Sequence, residues 1–302
     1  MRQSIIGALA LLVFGACPTL VGAQSGVLTE GPTTLDDVLV EQRLETQVRR
    51  FTEQLSRPVL TRGLARWRGP VCIGVYNLQR EVAEQIADGL AHTGHRLGVP
   101  IADGPCAPNI MIINAVDASE VAARWVHQEY REFRPNISRA ALSRERLSQF
   151  TGADVPVRWW AISRPAYFDI FTGTRNLVNG PGQGIIEVRT AMNRDRHTRD
   201  DLQRLTIIVD ADQIEGVSPE NLIAYLSMVS FSQVDMQADM SGFDSILNLF
   251  RTRPAIDGLT PWDEAYIRGL YGVPRDLQIK QELLREEMVE RLRAPAMQEA
   301  AN

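Results

Sequence analysis

Between Val71 and Val116 the chain spells out strand, helix and strand in close succession, and this constrains its fold more than any other feature. Val71–Asn77 is β-branched and aromatic enough to be a buried strand. Val82, Ile86 and Leu90 recur at helical spacing and predict a helix over 78–97 that ends in Gly94 and Gly98, and Asn109–Val116 is a second apolar strand. Two strands joined through a helix form a right-handed parallel crossover. The fold class expected is therefore α/β (α+β), with a mixed twisted sheet that starts from this βαβ unit and is packed by helices.

Other elements extend the sheet and its cover. Thr34-Leu35-Asp36-Asp37 matches a capping box, and Leu44, Val48, Phe51 and Leu55 lie at helical spacing, predicting a helix over 34–56 that Arg57-Pro58 ends. Helices are expected over 117–131 and, after Pro135 with Ser138 as N-cap, over 138–149. Val157–Ser163 reads as a strand whose alternation would put one of Trp159 and Trp160 in the core and at most one outside. Asn176–Gly184 is a loop, and its Asn179-Gly180-Pro181-Gly182-Gln183-Gly184 run lacks the spacing and the N–H groups of a dinucleotide cradle. Leu205–Val209 is a strand, Ser218-Pro219-Glu220 starts a helix, and further helices are expected over 241–250, 260–271 and 274–294. One domain over 61–275 follows, with a leader and N-terminal helix over 24–60 and a C-terminal helix and tail over 276–302.

The first residues read as a bacterial-type export signal. Arg2 supplies a positive start, Ile5–Ala16 an apolar run, and Val21-Gly22-Ala23 a small-residue cleavage pattern, so the mature chain should begin at Gln24 in the periplasm or outside the cell. A rival reading makes Cys17, after Gly15-Ala16, a lipid-attachment cysteine, although Phe14 stands where a small aliphatic residue is usual. No later stretch is apolar for long enough to cross a membrane, so no transmembrane segment is expected in the mature chain. Residues 24–33 are polar, with Gly and Pro, and read as a disordered leader.

Cleavage removes one basic residue, Arg2, and leaves 31 basic against 37 acidic side chains, a net charge of −6 that disfavours nucleic acid as a partner. It also leaves Cys72 and Cys106, each near a strand end. In an oxidising compartment the expected outcome is a disulfide closing a loop of about 35 residues, with two buried free thiols as the alternative.

Catalytic signals are sparse. His92 and His95 share a helix face with Glu84 and Asp88, a geometry that permits a weak metal site but more simply describes a solvated face near a helix C-terminus. His127 lies on a charged helix and His197 in the Arg/Asp-rich loop Asn193–Asp201, and both read as surface residues. No serine sits in a Gly-x-Ser-x-Gly elbow, and pairs such as Asp210 with Asp212 or Glu286 with Glu287 are ordinary solvated carboxylates.

The stretch Leu205–Gly272 resembles the zinc-peptidase (zincin) fold, in particular its metzincin branch, whose helix carries His-Glu-x-x-His-x-x-Gly-x-x-His or Asp. Laying that pattern on Tyr225–Asp235 puts Tyr225 and Val229 at the two histidine positions and Leu226 at the general-base glutamate, and leaves only Asp235 able to bind metal. Ser245-Ile246-Leu247-Asn248 resembles the turn beneath the metal, with Leu247 where methionine is typical, and Leu259-Thr260-Pro261-Trp262-Asp263 through Gly269-Leu270-Tyr271-Gly272 resembles the closing helix of matrixin-type domains. Upstream, Cys106-Ala107-Pro108-Asn109-Ile110 is similar to a strand start in exported bacterial zincin-like families. The resemblance implies a degenerate zincin-like fold with helical N- and C-terminal extensions. Catalytic zinc needs three protein ligands, an open position and a base. Tyr225, Leu226 and Val229 supply none of these, so no metal, no cofactor and no catalytic residue is expected by this route. The reading favoured is a non-catalytic module that takes an extended peptide or an envelope protein in a cleft beside Leu205–Val209. The alternatives are a divergent hydrolase, with Asp235 brought near His197 or His92, and a structural envelope protein docking through its terminal helices.

Overall fold

A computed structural model of the chain describes residues 35–56, 63–134, 144–169, 174–177, 198–251, 256–273 and 279–300. Residues 1–34, with the expected export segment, Cys17 and leader, and residues 178–197, with His197 and all but the first two residues of the loop expected over Asn176–Gly184, lie outside the described residues. Contacts divide the chain into Met1–Val40 and Glu41–Asn302, and the description below concerns the second unit.

The elements run α1 (Leu35–Leu55, completed in the second unit), β1 (Ile73–Tyr76), α2 (Arg80–Leu97), β2 (Ile110–Ala115), α3 (Ala118–Gln128), the single turn α4 (Tyr130–Phe133), α5 (Arg144–Gly152), β3 (Val157–Asp169), β4 (Thr174–Leu177) and β5 (Thr198–Asp210). They continue with α6 (Pro219–Phe231), a short 3₁₀ turn (Ile246–Asn248), α7 (Pro261–Gly272) and α8 (Gln281–Ala300). The sheet is mixed, with strand order β1-β2-β5-β3-β4. β1, β2 and β5 are parallel, whereas β3 runs antiparallel to β5 and β4 antiparallel to β3. The βαβ unit is present as the alternation of its residues implies. The sulfur atoms of Cys72 and Cys106 lie 2.06 Å apart, at disulfide distance, and close a separation of 34 residues around α2.

Alternation along the strands sorts two cores onto the two faces of the sheet. Ile110 and Ile112, Val157 and Trp159, and Leu205, Ile207 and Val209 point to one face, where they meet apolar residues of α1, α2, α6, α7 and α8. Ala115, Trp160, Ile162 and Ile208 point to the other, under α3, α4 and α5. Both tryptophans are buried, at 8 % and 6 % exposure, because both faces are covered, which corrects the expectation that one ring could lie outside. Their indole N–H groups donate to Val234 O at 3.0 Å and Phe133 O at 2.9 Å. The apolar faces of the terminal helices, with Val48, Phe51 and Leu55 from α1 and Leu284 and Met288 from α8, belong to the first core.

The helix expected over 241–250 is a correction. Only the 3₁₀ turn forms there, because side chains take the backbone groups that a helix would use. Asn248 Nδ2 donates to Met240 O and Phe243 O, and Asp263, at the N-terminus of α7, accepts Ile246 N at 2.8 Å. Asp263 also takes Ser245 Oγ at 2.7 Å and, in a capping box with Thr260, Thr260 N at 3.1 Å. Burial pushes the Asp263 carboxyl up to about 6, against the donors that pull it down.

Candidate functional site

The phase of the β3–β5 ladder defines an open edge. In an antiparallel pair, alternate residues turn both backbone groups toward the neighbour and the others turn both away. Asp210 N donates to Pro156 O at 2.8 Å, so Arg158, Trp160 and Ile162 bond to β5, while Val157, Trp159 and Ala161 present N–H and C=O to the other side. Among the described residues no strand pairs with that side of Val157–Ala161, since β4 reaches only Ala166–Asp169. β5 itself is flanked by β2 and β3, so no edge is open beside Leu205–Val209, where the cleft was expected, and the open edge is that of β3.

A cavity of about 250 Å³ opens below this edge. Its walls include Trp159 of β3, Tyr225 of α6, Asp235 and Met236 after α6, and Leu247 and Phe250 around the 3₁₀ turn. The Tyr225 ring packs edge-on against Phe250, with centroids 4.9 Å apart, and against Trp159 at 6.4 Å. A second, narrower cavity of about 70 Å³ continues along β3 past Trp159, Ala161 and Ser163, with Arg146, Gln149 and Gln233 opposite. Trp159, Val234, Asp235 and Met236 border both.

Local chemistry explains how the groove is held. Ser218 caps α6 by accepting Asn221 N at 3.2 Å, with Pro219 as the first helical residue. The chain then leaves α6 at Ser232 and is pinned by the Trp159 bond to Val234 O and by Asp235 N donating to Leu55 O at 2.9 Å. The Asp235 carboxylate pairs with Arg146 at 3.4 Å and accepts Gln237 N at 3.1 Å. At the far rim Arg251 pairs with Asp239 at 2.5 Å, and the Asp239 carboxyl is held below its usual range by Ser241 N–H first and by that guanidinium after it. Burial pushes the Tyr225 hydroxyl above its ordinary range, so it stays protonated and neutral.

Of the motif positions, Tyr225 and Asp235 meet at the cavity together with Leu247, whereas Leu226 and Val229, at 0 % and 1 % exposure, pack in the core. Tyr225, Leu226 and Val229 bring neither imidazole nor carboxylate, and Asp235 already holds a guanidinium. Among the described residues no group of three or more His, Cys, Asp or Glu side chains could hold a metal ion. His92 and His95 are exposed on α2, beside the exposed Glu84 and Asp88, and His127 is exposed at the end of α3. No described helix is long and apolar enough to cross a membrane. Arg146, Met236, Phe250 and Arg251 were not legible as site residues, because only the folded chain brings α5, before β3, together with the segments that follow α6.

Scans against protein-family models, curated proteins and solved structures found no match to this chain.

Proposed function

We propose that this chain is an exported, non-catalytic zincin-like protein that holds an extended peptide, or an extended segment of an envelope protein, in the groove beside β3. The observation that carries the reading is the outward-turned backbone of Val157, Trp159 and Ala161 above a cavity floored by Tyr225 and bordered by Asp235. A strand added to a sheet edge gains its affinity from main-chain hydrogen bonds and its selectivity from pockets under alternate side chains, and needs no metal. The aromatic walls of the larger cavity suit an apolar side chain of such a peptide. The zincin-like reading rests on order, a helix with Tyr225, then Asp235, then the turn with Leu247, these three at one cavity next to an antiparallel strand, whereas Val229 at the second histidine position packs in the core. Zinc hydrolysis would need two further ligands and a base at positions occupied by Tyr225, Val229 and Leu226.

The test is to incubate purified residues 24–302 with a random peptide library, then assay retained peptides, intact and cleaved products, and zinc by elemental analysis. Retention of uncleaved peptides without stoichiometric zinc is the expected result. Ala161→Pro should abolish retention, since it deletes one outward N–H while the ladder bonds to β5 belong to residues 160 and 162. Retention undiminished in a folded Ala161→Pro variant, or zinc near one equivalent with peptide cleavage, would overturn the reading.

A further inference from the structure

A second concavity, of about 420 Å³, lies on the opposite face of the sheet and is lined by Arg131, Glu132, Ile162, Arg164, Gln203 and Arg204. Its size falls within the range of ligand pockets, about 300–1,000 Å³. The chain builds it through a break in the strand ladder. Ile162 pairs with Arg204 and Ser163 with Leu202, so Gln203 is left over as the extra residue of a bulge. Without the bulge, consecutive residues 203 and 204 would point to opposite faces; with it both line the same cavity. Bulges of this kind re-aim side chains and are enriched next to functional sites.

The charges in the cavity do not balance. Arg204 is spoken for, donating to Glu132 Oε2 at 2.6 Å and to Glu132 O at 2.8 Å. Arg131 and Arg164 have no ion-pair partner among the described residues, and the Arg164 Nε is buried with no hydrogen-bond partner there. Three guanidinium groups against the one carboxylate of Glu132 leave two positive charges in one pocket of a protein whose net charge is −5. A buried guanidinium N–H without an acceptor costs free energy that a bound oxyanion would recover. A phosphate monoester carries about −1.5 to −2 charges at pH 7 and several acceptor oxygens, which suits this excess and the fork geometry of arginine. We infer that Arg131, Arg164 and Arg204, with Gln203, form a binding site for a phosphate-type oxyanion, independent of the groove at β3.

The experiment titrates residues 24–302 with inorganic phosphate, following the arginine Nε–H resonances by NMR. In parallel it measures sedimentation with phosphatidylcholine vesicles with or without phosphatidic acid. The expected result is saturable binding, weakened about tenfold in Arg131→Gln, and again in Arg164→Gln, as loss of one charge-assisted contact predicts. Binding that includes free phosphate identifies a soluble anion, and binding confined to phosphatidic acid vesicles identifies a lipid headgroup. Arg131 is exposed on the one-turn α4, so its variant remains folded even if Arg164→Gln does not. Absence of binding in both arms, or binding unaffected by Arg131→Gln, would overturn the proposal.

Discussion

Replacing Asp263 by Asn should change how stability depends on pH. Asp263 is fully buried, with Ser245 Oγ at 2.7 Å, Ile246 N at 2.8 Å, and Thr260 N at 3.1 Å as donors. Asn has the same size, keeps one oxygen for Ile246 and Thr260, and can donate its amide to Ser245 Oγ, so the turn bearing Leu247 should survive. What disappears is the titration. The folded carboxyl is raised to about 6 from 3.8, so the folded state binds the proton more tightly than the unfolded one. The stability this contributes is fully present below pH 3.8 and is lost as pH rises through 6. A rise of about two units at about 1.4 kcal/mol each gives a loss of about 3 kcal/mol, a large share of a typical stability of about 5–15 kcal/mol. Urea unfolding of both proteins between pH 3 and 7 measures it as the difference between the two curves. Wild type should lose about 3 kcal/mol relative to Asp263→Asn across that range. Parallel curves would refute the argument that desolvation outweighs the donors at this carboxylate.

Three shorter predictions concern the rest of the chain. Mass measurement of the exported protein without reductant should find it two hydrogen atoms lighter than its reduced form; reduction should cost about 3–4 kcal/mol by the chain-entropy relation for a loop of this length, and two free thiols would contradict the pairing. Gly94→Ala should destabilise although alanine favours a helix by about 1 kcal/mol. The new Cβ would stand 2.5 Å and 2.9 Å from Ile101 carbons and 3.1 Å from Phe231, a crowding that costs about 1–3 kcal/mol, and a raised melting temperature would show that the Ile101 and Phe231 side chains move aside without penalty. N-terminal mass analysis should find Gln24 first, and a diacylglyceryl group on Cys17 would establish the lipoprotein reading instead.

Much of the fold is local enough to be written in the residues. The βαβ unit was legible because β-branched runs and a helical stripe of Val82, Ile86 and Leu90 need no distant partner to be recognised. The 241–250 segment was not, because what prevents a helix there is the carboxylate of Asp263, well along the chain, and the amide of Asn248. The position of the groove was missed for a similar reason. Leu205–Val209 reads as a strand from its own residues, but that it lies inside the sheet and β3 borders the groove depends on pairing, which periodicity does not encode. The pocket of arginines depends on one bulged residue, Gln203, and no spacing in the sequence announces it.

The central claim, that β3 offers its outer edge to an extended peptide, is tested most directly by amide hydrogen exchange on residues 24–302 with and without a peptide retained from the random library. The amides of Val157, Trp159 and Ala161 should exchange readily in the free protein and gain protection with peptide bound, while those of Trp160 and Ile162, already bonded to β5, stay unchanged. Protection that appears elsewhere and leaves Val157, Trp159 and Ala161 exchanging as before would contradict it.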